Sequence, residues 1–109
     1  MNESILLAEL NTKIKEAREA NAQNIKDTKQ NIIDNQEHIG EYRRQIMAME
    51  WVLRNVELSD ESRDAIKSTK DDVEEDIQIT HRGIDKLQVK HDELQNMCDI
   101  LFNIASVIE

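Results

Sequence analysis

From Ile25 to Val56 one series of mostly apolar residues recurs in steps of three and four that alternate without exception. Its members are Ile25, Thr28, Ile32, Asn35, Ile39, Tyr42, Ile46, Met49, Leu53 and Val56. That spacing is one face of an α-helix and excludes a strand, whose side chains repeat every two residues. Upstream, Leu10, Ile14, Ala17 and Asn21 continue the stripe after a one-residue phase slip. A second series is uninterrupted: Ile66, Lys70, Val73, Ile77, Thr80, Ile84, Leu87, His91, Leu94, Cys98, Leu101, Ala105 and Ile108. The chain contains no proline and two glycines, so little in either stretch breaks a helix.

Between the stripes lies Glu57-Leu58-Ser59-Asp60-Glu61-Ser62. Ser59 or Asp60 can accept a hydrogen bond from a free amide of the next turn, and the acids favour a helix N-terminus. The reading is all-α: a single antiparallel two-helix hairpin over residues 1–109, with a coiled-coil seam. Its parts are a helix over about 4–57, a turn at about 58–60 and a helix over about 60–107. Each arm would span roughly 70–80 Å at ~1.5 Å per residue. A tight turn makes the arms neighbours. Pairing Ile32 with Leu87 then sets Thr28 opposite His91, Ile25 opposite Leu94, Asn21 opposite Cys98 and Ile46 opposite Val73, so two independently read stripes mesh.

Two helices bury one stripe each, and this chain has apolar residues to spare. Toward the open end, Ile5, Leu6, Leu7 and Leu10 accompany Met97, Ile100, Leu101, Phe102, Ile104, Val107 and Ile108. Near the turn, Met47, Trp51 and Val52 fall outside the stripe. Exposed apolar patches signal association. The candidate partner-binding residues are therefore Leu6, Leu7, Met47, Trp51, Met97, Phe102 and Ile104, with Trp51 as the natural anchor. The hairpin is expected to complete a larger helical bundle with another helical protein; a homo-oligomer is the alternative cover. Asn21, Thr28, Asn35, Thr80 and His91 put polar groups into the seam. Either they fix register and partner choice, or the middle of the seam is loosely packed and touched by solvent.

The same residues speak against other functions. The net charge of −9 opposes nucleic-acid binding and adsorption to anionic membranes. No apolar run approaches a membrane span. The start, Met1-Asn2-Glu3-Ser4, lacks a basic signal-peptide region, which predicts a cytoplasmic protein and leaves a leaderless route of export open. His38 and His81 occupy flanking positions that point to opposite sides of the hairpin, and Cys98 has no base beside it. No phosphate loop, nucleophile elbow or H-E-x-x-H motif is present. The expectation is a protein that is not an enzyme and holds no metal or cofactor. Residues 57–76 carry nine acids against Arg63, Lys67 and Lys70. This is a solvated face, a docking face for a basic partner, or an imitation of a nucleic-acid backbone.

A hairpin of about this length, with a mid-chain Trp and no proline, resembles the small helical proteins of type VII secretion. Among them are the WxG-motif proteins and the accessory hairpins that bind the helical N-terminal domain of LXG toxins. Here Trp51 is followed by Val52-Leu53 rather than x-Gly, and no Y-x-x-x-D/E follows in the tail, so the accessory hairpins are the nearer likeness. The resemblance implies a targeting factor or chaperone that bundles with a secreted toxin's helical domain, with or without a second small hairpin. A phage- or virus-encoded acidic inhibitor and a self-assembling structural coiled coil are the competing readings.

Overall fold

The structure, a computed structural model, describes residues 2–108, with the side chains of residues 3–107. It contains two α-helices, α1 (Asn2–Asn55) and α2 (Asp60–Ile108), and no strand among the described residues. The chain is an all-α helical hairpin. Side chains of α2 are half-buried or buried at every described position of its stripe, from Ile66 to Ala105. The last member, Ile108, lies outside the described side chains.

The stripe on α1 holds from Ile25 to Leu53 and departs from expectation at three positions. Val56 is exposed because α1 stops at Asn55, two residues before the expected end. Leu10 and Ala17 are also exposed, while Ile14 and Asn21 between and beside them are buried. The four-residue steps around the phase slip rotate the stripe, leaving Leu10 and Ala17 at its edge. The single methyl of Ala17 is too short to reach back, and Leu10 stands where the opposing helix is running out.

The end of α1 explains itself through its carbonyls. The last turn of any helix leaves C=O groups without intrahelical donors. Here the Val56 amide donates to the Val52 carbonyl at 2.9 Å, and the Arg63 guanidinium donates to the Leu53 carbonyl at 3.0 Å. A cation at this end also suits the helix dipole. Extending α1 to residue 57 would leave only Leu58 and Ser59 to reverse the chain. Ser59 then caps α2: its Oγ accepts from the Ser62 amide at 3.2 Å, and its carbonyl accepts from Arg63 at 2.9 Å. Of the two candidate caps, Ser59 is the one used.

The chain divides into two compact units. The turn-proximal unit, Ile32–Lys86, buries Ile32, Ile39 and Val73 between its two helical segments. One ion pair and one hydrogen bond between the helices fix the direction of pairing. Lys70 reaches Glu50 of α1 at 3.2 Å and Glu74 of its own helix at 3.8 Å, while Arg63 reaches Leu53. Partners climb α1 as they descend α2, so the segments are antiparallel.

The distal unit comprises the residues up to Asn31 and those from Leu87 onward. Here the buried positions are Ile14, Asn21 and Thr28. Thr28 is 1% exposed, which excludes a solvent-touched seam at that layer. Its hydroxyl donates to the Asn24 carbonyl of its own helix at 2.7 Å and needs nothing from α2. Asn21 does cross: its amide donates to the Leu94 carbonyl at 2.9 Å. The buried His91 Nε2 has no hydrogen-bond partner, an arrangement that costs about 1–3 kcal/mol relative to a satisfied group.

Candidate protein-interaction surface

All seven residues singled out from the sequence are exposed. Five of them, Leu6, Leu7, Met97, Phe102 and Ile104, belong to the distal unit. Met47 and Trp51 belong to the turn-proximal one. Each group is built differently.

In the distal unit the apolar surface comes from a second stripe on α2. Met97, Ile100, Ile104 and Val107 follow at steps of three, four and three, and all are exposed. At about 100° per residue they form a band roughly 110° around the helix from the seam positions Leu94, Cys98, Leu101 and Ala105. Phe102, 58% exposed, lies on the other flank of that seam. The Arg18 guanidinium sits 5.8 Å from its ring centroid and covers one face only. A helix apolar over so wide an arc is stable when it has more than one packing partner, and the hairpin supplies one. From α1, Ile5, Leu6, Leu7 and Leu10 add further exposed apolar area.

In the turn-proximal unit, Met47 and Trp51 are one turn apart on the side of α1 that faces away from the seam. Trp51 is 56% exposed, and its backbone carbonyl accepts from the Asn55 amide at 2.9 Å. The same outward face carries Ile33, which is also exposed. Sequence reasoning missed Ile33 because it follows Ile32 and reads as part of the seam. Exposed Ile79 and Val89 on α2 were missed as well; each stands alone among polar neighbours. A count of second stripes offset from the first would have found Ile33.

Among the described residues no group of three or more His, Cys, Asp or Glu is placed to hold a metal ion. His38 Nδ1 lies 3.7 Å from Glu41 and His91 Nδ1 lies 3.6 Å from Asp92, each a neighbour on its own helix. Cys98 is a half-buried free thiol beside Lys15, Arg18, Glu19 and Ala22. No described helix is long and apolar enough to cross a membrane. Comparison with protein-family models, with curated proteins and with solved structures finds no match for this chain.

Proposed function

We propose that this protein is a non-catalytic interaction module whose hairpin docks against the helical domain of another protein. In its specific form, the partner is a type VII-secreted LXG-type toxin, and the hairpin serves as its targeting factor or chaperone in the cytoplasm. One observation carries the general reading: the band Met97, Ile100, Ile104 and Val107 is exposed at helix-packing spacing, while polar Asn21 and Thr28 are buried in the neighbouring seam. Apolar residues outside and polar residues inside suit a segment whose packing is completed by another chain. The specific form draws its support from the architecture, a proline-free hairpin with a mid-chain Trp.

Polar replacement of Phe102 and Ile104 tests this. A chain carrying both changes, co-expressed with the helical N-terminal domain of an LXG-type toxin that binds the unaltered chain, should lose the complex while keeping its helicity and melting curve. If the double variant unfolds by itself, these residues belong to an intramolecular core. If it stays folded and still binds, the distal end is not the interface. Sedimentation of the free chain as a stable monomer with unchanged cooperativity at micromolar concentration would count against a need for any partner.

A further inference from the structure

The outward face of α1 in the turn-proximal unit repeats at coiled-coil spacing: Ile33, Glu37, Gly40, Arg44, Met47, Trp51 and Arg54 follow in steps that alternate four and three. Its central part is two exposed apolar side chains, Met47 and Trp51, bracketed by two arginines ten residues apart, or roughly 15 Å along the axis. Arg44 and Arg54 are exposed, and neither has an ion-pair partner among the described residues. The Arg44 guanidinium lies back toward Gly40, 3.8 Å from where a Cβ would stand there. The only carboxylate between the two arginines in sequence is Glu50, and it is engaged by Lys70 at 3.2 Å. In a chain of net charge −9, the stretch from Arg44 to Arg54 carries two arginines outside any described ion pair against one carboxylate, with Arg54 also bordering the groove formed by Glu50, Leu53 and Lys70.

We propose that this face receives an acidic amphipathic helix, one with an apolar stripe for Met47 and Trp51 and carboxylates spaced to meet Arg44 and Arg54. This rests on the interaction-module reading above and names the chemistry of its partner at the turn-proximal unit. Charge complementarity selects the occupant. Arginine pairs with carboxylate through two parallel hydrogen bonds, and tryptophan gives the buried apolar anchor.

Trp51 is the sole tryptophan, so its fluorescence reports this face directly. The full chain is titrated with two synthetic helical peptides that share one leucine stripe, the first flanked by glutamate and the second by lysine. The glutamate peptide should saturate with a blue shift of the Trp51 emission, and the lysine peptide should bind at least about tenfold more weakly. In the R44E/R54E double variant the preference should reverse, a gain that a misfolded chain cannot show. Equal binding of both peptides, or no shift with either, overturns the proposal. So does a blue shift that grows with the concentration of the chain alone, which would make a second copy the occupant. A shift produced by phosphatidylserine vesicles and not by the glutamate peptide overturns it too. Retention of the native complex by R44E/R54E would sink this docking chemistry and leave the proposed function, judged at Phe102 and Ile104, standing.

Discussion

The two units solve the same packing problem with opposite materials. Near the turn, the buried side chains are Ile32, Ile39 and Val73, the chain reversal is capped at both helix ends, and Lys70 joins the two helices through Glu50. Away from the turn, two of the three buried side chains are polar, one buried ring nitrogen lacks a partner, and a band of large apolar residues faces outward. Buried apolar area stabilises at about 25 cal/mol per Å², whereas buried polar groups at best break even and mainly select one arrangement over others. The turn-proximal unit is thus where intramolecular stability is concentrated. The distal unit buries more polar groups and leaves more of its large apolar side chains exposed.

This contrast breaks most visibly at Ile39. Replacement by Ala removes a side chain that is 5% exposed and should cost about 2–5 kcal/mol in chemical denaturation. Trp51→Ala, on the outer face of the same unit, should stay within about 1 kcal/mol, since exposed substitutions seldom exceed that. Equal losses would show that Trp51 is core after all.

The distal unit gives the opposite sign. His91→Leu removes the unsatisfied Nε2 and should raise stability by about 1 kcal/mol, provided leucine fits the space. A clear loss would mean that the imidazole is satisfied in solution and that the polar seam contributes stability. The smallest effect concerns the cap. Ser59→Ala deletes the acceptor for the Ser62 amide and should lower stability by roughly 0.5–1 kcal/mol. Hydrogen exchange would sharpen it, with faster amides confined to the first turn of α2.

Much of this could be read from residue spacing, for a definite reason. A seam is a geometric consequence of period, so counting threes and fours recovers nearly every inward residue of α2 and most of those of α1 from Ile25 to Leu53, though it set the half-buried Val52 outside the stripe. Local chemistry escaped the count. That Arg63 would take the Leu53 carbonyl, and so end α1 at Asn55, depends on a side chain reaching across the turn. That Thr28 would be the most buried side chain depends on its hydroxyl bonding back to Asn24. Leu10 and Ala17 were misplaced because a phase slip changes which direction is inward. For the candidate surface, Leu6, Phe102 and Trp51 were legible as residues for which the seam had no room. The face that includes Arg44 and Arg54 was not, because a count of hydrophobicity passes over cations that frame an apolar centre.

The hydrogen bonds that join α1 to α2 differ in how much chain each encloses. Arg63 and Leu53 are ten residues apart, while Asn21 and Leu94 are separated by 73. Loop-closure entropy grows with the logarithm of that length, which puts the distal contact roughly 2 kcal/mol behind if each forms independently. Closure is therefore expected to run outward from the turn, each new layer adding only a short increment of loop. During synthesis the order has a temporal side. Leu6, Leu7 and Leu10 are made more than seventy residues ahead of the α2 segment that belongs to their unit. Until that α2 segment is made these leucines lack it as a packing surface, so the nascent hairpin exposes them before its own fold can close.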